Sequence, residues 1–313
     1  EIHVPSGAGM ARDDDGNEVA GVRLTHPDRV LFPEQGITKR ELADYYVAVA
    51  ERMLPHVRGR PLTLVRCPAG QETACFFQRR AAPGTPRQLG RVTVPVEGEK
   101  ETYLVADSLA ALVSLVQMGV LEVHVWGARR DRLDRPDRMI LDLDPAPGIE
   151  WAQIVEAARE VRERLAAAGL ESWVKTTGGK GLHVVAPLER RAGWEEVREL
   201  SLSVAEAMVA DSPDRYLTRA SKEEREGKIY VDYVRNSWSA SAVAPYSTRS
   251  RSGAPVSLPL SWEELGADTK PGDFTVRSVP ERVRAKPDPW AAMAETRQAA
   301  TKAVRAKLLG NRG

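Results

Sequence analysis

Two aspartates separated by one residue stand near the end of a predicted buried strand, in the run Arg138-Met-Ile-Leu-Asp-Leu-Asp-Pro145. Residues two apart on a strand point to the same face at a rise of about 3.3 Å each, so the bases of Asp142 and Asp144 are predicted about 6 to 7 Å apart. Pro145 is expected to stop the strand, which would put both acids at a strand end, where sheet sites usually open. This pair suits one or two divalent cations; the alternative is a solvated strand end.

A third carboxylate lies farther along the chain, in the run Ile229-Tyr-Val-Asp-Tyr-Val234. The neighbours of Asp232 are all strand formers, and a lone acid in such a run is costly to bury unless it is paired or metal-bound. Three carboxylates on strands are typical of a two-metal site for phosphoryl transfer, and hard oxygen ligands favour Mg²⁺ or Mn²⁺. The alternative for Asp232 is an edge-strand residue that faces water.

A glycine-rich segment, Lys175-Thr-Thr-Gly-Gly-Lys-Gly-Leu-His183, has the composition of an anion-binding turn. Glycines let backbone N–H groups turn toward an anion, and Thr177, Lys180 and His183 could add side-chain donors to a triphosphate. Lys180 is followed by glycine, not by serine or threonine, so the segment is not a mononucleotide P-loop. A glycine-rich hairpin without a ligand is the alternative.

Two further features indicate contact with nucleic acid. Phe76 and Phe77 precede two arginines, and adjacent residues of a strand point to opposite faces, so one ring is predicted to enter the core while the other offers a base a stacking surface. Both rings being core residues is equally compatible with the sequence. Between Asp214 and Arg251 there are eight basic residues, among them Lys222 and Arg225, and five acidic ones, which predicts phosphate-facing side chains near this surface. A charge-mixed solvated helix is the alternative for residues 222–228.

The elements that must position these residues follow from the hydrophobic pattern. Thr38 and Glu41 form a capping box, and the apolar spacing after it predicts a helix over residues 39–54. After Arg138, strands alternate with amphipathic helices, which indicates an α/β or α+β fold. Residues 1–20 show no periodicity and are predicted to be a flexible tail, residues 245–289 a loop-dominated segment, and residues 289–309 a last helix.

Composition narrows the class of protein. The chain has 313 residues, of which 42% are hydrophobic and 28% charged, which excludes a disordered, collagen-like or coiled-coil protein. Neither an apolar stretch of membrane-spanning length nor a signal-like N-terminus is present, so a cytoplasmic, nucleoid-associated protein without a membrane partner is expected. The net charge of +1 means that local basic patches must hold any polyanion. Cys67 and Cys75 are predicted to be buried and reduced.

Taken together, these motifs and the later run Ala244-Pro-Tyr-Ser-Thr-Arg249 resemble the polymerase domain of bacterial DNA ligase D, a member of the archaeo-eukaryotic primase superfamily that serves non-homologous end joining. The resemblance extends from about Leu24 to the final helix. It implies a mixed α/β (α+β) primase-polymerase fold, with an RRM-like catalytic sheet packed against an N-terminal α/β module and the active site between them. A single domain over residues 21–313 would comprise a DNA-end-binding module (21–135), a catalytic module (136–250), and a loop with a C-terminal helix (251–313).

The resemblance also implies roles for individual residues. Asp142, Asp144 and Asp232 would hold the catalytic metals. The nucleotide would be bound by Thr177, Lys180, His183, His124, Arg249, Lys222 and Arg225. Arg29 and Lys39 match the family's pocket for a 5′-phosphate, and Phe76 and Phe77 match its aromatic pair on the templating strand. The chain departs from the usual pattern at Thr177 (often serine), Arg29 (often lysine) and Arg235 (often glutamine).

The implied enzyme is a nucleotidyltransferase with Mn²⁺ or Mg²⁺ in a two-metal site. A primer 3′-hydroxyl attacks the α-phosphate of a nucleoside triphosphate, with ribonucleotides preferred, and pyrophosphate leaves. The implied partners are gapped or broken DNA with a 5′-phosphate, a Ku-type end-binding protein, a DNA ligase, and a second copy of the chain on DNA ends. No Lys-x-Asp-Gly run is present, so sealing activity is not expected.

Three alternatives stay open at the level of sequence. A two-metal nuclease or phosphohydrolase would use the same carboxylates and would shorten DNA strands instead of extending them. An end-binding scaffold would need only Arg29, Lys39 and Phe77, with little catalysis. Nothing in these residues separates a primase, which starts chains, from an enzyme that only extends them.

Overall fold

The computed structural model describes residues 16–219, 221, 224–266 and 268–310. Its strands are β1 Glu18–Val19, β2 Val22–Arg23, β3 Val30–Phe32, β4 Ile37–Thr38, β5 Leu62–Arg66, β6 Phe76–Gln78, β7 Gly90–Val96, β8 Glu99–Val105, β9 Val120–Val125, β10 Arg138–Pro145, β11 Trp173–Thr176, β12 Leu182–Pro187, β13 Tyr216–Leu217, β14 Ile229–Asp232, β15 Ala242–Val243 and β16 Pro259–Leu260. Its α-helices are α1 Lys39–Val57, α2 Leu109–Gln117, α3 Trp151–Ala167, α4 Trp194–Asp211, α5 Val279–Ala285 and α6 Lys302–Leu309.

The first long helix starts where its capping box predicts. Thr38 Oγ1 accepts a hydrogen bond from the Glu41 N–H (3.2 Å), and Glu41 Oε2 accepts one from the Thr38 N–H (2.8 Å). The predicted apolar face is buried, and α1 continues to Val57, three residues beyond the predicted end. This helix packs against α2 beside a four-stranded sheet of order β15-β9-β5-β6.

The second half of the chain builds a six-stranded sheet of order β13-β14-β10-β12-β11-β16. Its central elements follow one another as β10-α3-β11-β12-α4-β14, and β14, β10, β12 and β11 are neighbours in antiparallel pairs. This βαββαβ arrangement is the RRM-like sheet that the sequence predicts. Leu141 and Leu143 belong to the core that includes residues of α3 and α4, so the alternate residues of β10, including Asp142, face away from those helices.

One short strand ties the two halves together. β15 follows β14 in sequence but pairs with β9 of the other sheet, where Ala242 lies opposite Val125 and Val243 opposite His124. The chain therefore passes from the six-stranded sheet into the four-stranded sheet at this strand. No helix in the described ranges is long and apolar enough to cross a membrane.

The structure confirms one local prediction and corrects others. β10 ends at Pro145, which lies opposite Ile229, so Asp142 and Asp144 lie near the strand end as predicted. The predicted tail is too long, because Glu18–Val19 already pair with Val22–Arg23; residues 1–15 lie outside the described residues. Cys67 is buried as expected, but a disulfide joins it to the exposed Cys75, so the prediction of reduced cysteines is wrong.

The predicted helix over residues 289–309 is also wrong in its first half. A short 3-10 turn at Ala291–Ala294 is followed by non-helical chain, and α6 begins only at Lys302. Trp290 Nε1 donates to the carbonyl of Val174 (3.0 Å), and Gln298 Nε2 donates to the carbonyl of Pro187 (2.8 Å). These bonds to sheet strands hold the chain in a path that a continuous helix could not follow.

Candidate active site

A polar cleft opens between the face of the six-stranded sheet that points away from α3 and α4 and strands β9 and β15. Seven of the residues predicted to act on a nucleotide or metal line it: His124, Asp142, Asp144, Thr177, Lys180, His183 and Arg249. Asp232 lies directly opposite Asp142 in the β10–β14 pair. The structure therefore brings residues from distant parts of the sequence into one site.

Four ionisable side chains form a continuous row across this sheet face. The register places Lys175 opposite His183, His183 opposite Asp142, and Asp142 opposite Asp232. His183 Nε2 lies 3.4 Å from Asp142 Oδ2. Lys175, which the sequence analysis did not single out, is buried and donates from Nζ to Ser257 Oγ (2.6 Å). A lysine inside the apolar run Trp173-Val-Lys-Thr176 is the signal that could have revealed it.

The pKa values of these four side chains are shifted by burial and by one another's charges. Burial lowers the pKa of the Lys175 ammonium well below its usual range, and burial together with the Lys175 charge lowers the pKa of His183 to about 4. Burial would raise the pKa of Asp142, but His183, Arg235 and Lys175 bring it below its usual range. Burial and the neighbouring Asp142 raise the pKa of Asp232, against the effect of Arg235. Asp142 and Asp232 therefore stand side by side with pKa values shifted in opposite directions, as expected for two neighbouring carboxylates.

Arginine side chains hold the three carboxylates. Arg235 Nε lies 3.2 Å from Asp142 Oδ2 and 3.3 Å from Asp232 Oδ2, so one guanidinium bridges both acids. Arg225 pairs with Asp144 and lies over the Tyr230 ring, outside the cleft lining. Arg235 is thus a site residue, although the sequence marked it only as a departure from the family pattern. Lys222, the other basic residue predicted for the nucleotide, lies outside the described residues.

The carboxylates fit a divalent cation by donor chemistry. Asp142 and Asp232 are cross-strand neighbours and Asp144 follows on the same face, which provides hard oxygen ligands on one surface. The bridging Arg235 occupies the position of positive charge between two of them. Within the described ranges, no three His, Cys, Asp or Glu side chains already stand in the arrangement of a metal site. A metal ion held by Asp142 and Asp232 would compete with the Arg235 guanidinium for the same carboxylate oxygens.

Two glycines of the glycine-rich turn lie so close to neighbouring atoms that a side chain would not fit there. A Cβ at Gly181 would lie 2.3 Å from the Leu143 carbonyl oxygen, and Gly178 has a positive φ of 70° with Arg249 against it. Thr177 Oγ1 accepts from the Gly179 N–H (3.2 Å), so its hydroxyl closes the turn, and Arg249 donates to the Thr177 carbonyl (2.5 Å). Exposed Lys180 and Arg251 project from the lip of the same cleft. The turn thus presents cations next to the carboxylates.

The opposite wall contains a residue that the sequence analysis missed. Glu122 Oε2 lies 2.8 Å from His124 Nε2 and 3.1 Å from Arg249 Nε, and Glu122 Oε1 accepts from the Ser250 N–H and hydroxyl, both at 2.9 Å. Burial would raise the pKa of Glu122, but His124 and Arg249 lower it to about 2. Glu122 thereby orients two predicted nucleotide contacts. The argument that singled out Asp232, a lone acid among strand formers, applies equally to the run Val120-Leu-Glu-Val-His-Val125.

The residues predicted to contact a DNA end lie apart from this cleft. Phe76 and Phe77 on the edge strand β6 are 47% and 74% exposed, so the prediction that one ring enters the core is wrong. Arg29 is exposed and donates to the Pro68 carbonyl (3.1 Å). Lys39 is buried, and its Nζ donates to the Thr25 carbonyl (2.7 Å), while burial and the Arg29 charge lower its pKa.

Comparison with known proteins identifies the family. Residues 38–290 match the model of the LigD primase-polymerase domain. The chain belongs to the LigD primase-polymerase domain family. It is 40% identical over 291 residues to the multifunctional non-homologous end joining protein LigD of Pseudomonas aeruginosa, covering 92% of this chain and 35% of that protein. It is 38% identical over 252 residues to the Mycobacterium bovis LigD, covering 78% of this chain and 33% of that protein.

A solved structure agrees with this assignment. The polymerase domain from Mycobacterium tuberculosis ligase D, solved in complex with DNA, superposes with a TM-score of 0.82 at 35% identity and covers 86% of this chain and 96% of that one. The predicted family, mixed α/β fold and nucleotidyltransferase class are confirmed. Membership implies dependence on a divalent metal. The chain spans about a third of the length of these curated relatives.

Proposed function

We propose that this LigD polymerase domain extends primers and fills short gaps at DNA double-strand breaks in bacterial non-homologous end joining. The observation that supports it most is the placement of the Asp232–Asp142–His183–Lys175 row beside the glycine-rich turn, in one cleft. Carboxylates next to a cationic turn match a nucleoside triphosphate and its metal ions. The names of the relatives and the DNA in the neighbouring structure agree with the proposed pathway and substrate.

Each cleft residue has a proposed task. Asp142, Asp144 and Asp232 would hold Mn²⁺ or Mg²⁺, which when bound neutralises charge on the reacting phosphate and activates the primer hydroxyl. Lys180, Arg249 and Arg251 bind the triphosphate and stabilise the pyrophosphate as it leaves. Thr177 maintains the turn that positions Lys180. Glu122 holds His124 and Arg249 in place, with His124 beside the nucleotide sugar.

Further proposals concern the DNA and the partners. Arg29 and the Lys39 region would take the 5′-phosphate of a gap, and exposed Phe76 and Phe77 would stack on the templating strand. Arg225 and Lys222 would add charge near the nucleotide once Asp144 binds metal. Ribonucleotides would be the preferred substrate. A Ku-type protein, a DNA ligase and a second copy of the chain on DNA ends are the proposed partners.

The decisive experiment is extension of a labelled primer across a one-nucleotide gap with a 5′-phosphate, using Mn²⁺ or Mg²⁺ and ribo- or deoxyribonucleotides. The Asp142→Ala/Asp144→Ala variant should lose extension by on the order of 10³-fold or more, because it removes groups that stabilise transition-state charge. Asp134→Ala/Asp211→Ala is the matched control, since both side chains are about 70% exposed and lie outside the cleft.

The product distinguishes the alternatives. Longer primers from wild type and control, but not from the cleft variant, would support the polymerase and place its metals. Shortened strands would favour a two-metal nuclease. Tight gap binding without any product would favour an end-binding scaffold, and either result would overturn the proposal.

A further inference from the structure

A second concave surface lies at the other end of β10 and takes no part in the proposed reaction. It has a volume of about 850 Å³ and is bounded by the end of α1, the start of β10, the residues after β12 and the 3-10 turn at Ala291–Ala294. Of its seventeen lining residues, eight are arginines and two are acidic, Asp137 and Glu189. We call it the basic cavity. Its lining has an excess of six positive charges when His56 is neutral.

The floor of the basic cavity shares one carboxylate between two arginines. Arg60 is fully buried and donates to both oxygens of Asp137, at 2.7 and 2.8 Å. Arg129 Nε lies 3.3 Å from the same carboxylate. Arg60 Nε has no hydrogen-bond partner among the described residues. Asp137 therefore makes close contacts with two arginines, and its single negative charge cannot balance all the guanidinium groups around it.

That third guanidinium belongs to Arg138, which is 8% exposed and lines the basic cavity. Its hydrogen-bond partner is His56 Nδ1 at 2.7 Å, and no described carboxylate lies within ion-pair distance of it. Burial and the Arg138 charge lower the pKa of His56 well below its usual range, so the imidazole is neutral and adds no negative charge beside Arg138. Because the single carboxylate of Asp137 faces three arginine charges here, an anion at this position would stabilise the arrangement.

The rim of the basic cavity adds accessible cations. Arg132 is exposed and has no acidic partner among the described residues, and Arg297 donates only to the carbonyls of Ala294 and Thr296 in its own turn. Arg190 and Arg191 pair with Asp131 and Glu189, but such surface pairs contribute little and exchange readily for another anion. The rim thus offers several guanidinium groups to a ligand with more than one negative group.

We propose that the basic cavity is a second anion site of this domain, which binds a phosphate-bearing polyanion. Planar guanidinium groups match phosphate oxygens in pairs, and the eight arginines favour this chemistry. The source is either a nucleic-acid strand or a free pyrophosphate, which carry the same group. The proposal does not depend on the chemistry of the nucleotide cleft.

The two sites can be filled at the same time. Arg138 and Asp142 lie on the same face of β10, four residues apart, which corresponds to about 13 Å along a strand. Ile140 lies between them in a buried apolar cluster with Trp290 and Met293. This cluster separates the basic cavity from the cleft, so an anion on Arg138 would not displace a nucleotide.

The test uses exposed rim residues, whose substitution leaves the buried floor intact. Arg132→Glu/Arg297→Glu is compared with Arg284→Glu/Lys307→Glu, which makes the same charge change on exposed residues outside the basic cavity. One arm measures anisotropy of labelled single-stranded dT20 lacking a 5′-phosphate, in EDTA and over a range of salt. The other titrates sodium pyrophosphate by calorimetry. Circular dichroism and thermal melting check that each variant folds.

Each outcome decides the proposal. We expect the rim variant to bind dT20 at least about tenfold more weakly than the control and to reduce the slope of log Kd against log salt by about 1.4, as the loss of two phosphate contacts on a single strand would. If the rim variant binds dT20 as the control does but binds pyrophosphate at least about tenfold more weakly, or with one fewer pyrophosphate per chain, the ligand is a free phosphate compound. Rim and control variants that agree within twofold in both arms would overturn the proposal.

Discussion

At one end of β10, Asp142 and Asp232 share the guanidinium of Arg235, and Asp144 pairs with Arg225. At the other end, Arg138 meets only a neutral imidazole. Both ends lie on the same face of the same strand, four residues apart. In the cleft every carboxylate has a cation that a metal could replace, whereas in the basic cavity arginines outnumber acids. Carboxylates with exchangeable cations suit a metal ion at one end, and the surplus of arginines suits an anion at the other.

The largest effect should come from breaking the floor of the basic cavity. Asp137→Asn leaves fully buried Arg60 without its two-point partner, so we expect a loss of about 3–5 kcal/mol in the free energy of unfolding. Urea unfolding would measure it. Asp134→Asn, whose side chain is 70% exposed, is the control and should change stability by less than about 1 kcal/mol. Equal losses in both variants would show that Asp137 does not hold the floor.

In Asp137→Asn, the free energy of unfolding should also depend less on pH in the acidic range than in wild type. Burial would raise the pKa of Asp137, but the charges of Arg60, Arg138 and Arg129 lower it from 3.8 to about 2. A carboxyl whose pKa is depressed by folding contributes stability above its unfolded pKa and loses it as the pH falls through the folded value. Wild type should therefore lose this contribution between about pH 4 and pH 2, and Asp137→Asn should not.

An intermediate effect should come from removing the cation that bridges the cleft carboxylates. Arg235→Gln should raise the affinity for Mn²⁺ about two- to fivefold, since the side chain is 41% exposed and partly exposed pairs contribute about 0.2–1 kcal/mol. Electron paramagnetic resonance titration without DNA would measure it. Arg215→Gln, which breaks a surface pair with Glu156, is the control. Weaker Mn²⁺ binding would mean that Arg235 supports the metal site instead of competing with it.

The smallest effect should come from freeing one rim arginine of the basic cavity. Glu189→Gln releases Arg191, which is 72% exposed, so the free energy of unfolding should change by less than about 1 kcal/mol. Binding of dT20 should strengthen by about twofold, as measured by anisotropy. Glu156→Gln removes the acid of a comparable surface pair and should leave dT20 binding unchanged. A gain of the same size in both variants would indicate a general charge effect and not a local site.

Much of the fold was predictable because its signals are local. The capping box at Thr38 and Glu41 gave the start of α1, and the alternation of strands and helices after Arg138 indicated the mixed α/β sheet. The non-helical chain before Lys302 was not predictable, since the bonds of Trp290 and Gln298 to distant carbonyls override a helical pattern. The Cys67–Cys75 disulfide was likewise missed, because two cysteines in a sequence do not reveal their distance.

The predicted site residues divide in the same way. Asp142 and Asp144 lie close together in one strand pattern, and Thr177, Lys180 and His183 in one glycine-rich segment, so the sequence indicates both groups. Their roles remain predictions. Glu122, Lys175 and the bridging Arg235 also contact residues far away in the sequence, which the sequence does not show. For Glu122 and Lys175, a lone charge in an apolar strand was still a usable signal. The four-residue row exists only through the register of β11, β12, β10 and β14.

The sequence by itself determined which chemical groups this LigD domain has, the order of its strands and helices, and its family. Residue type and spacing along one strand or turn are enough for that, because short-range geometry repeats every two or 3.6 residues. Only the tertiary structure decided which charges meet. Pairing of strands placed Asp232 beside Asp142, and packing of α1 against the sheet left Arg138 facing His56 instead of an acid. Compensation of charge depends on distance in space, which the order of residues does not specify.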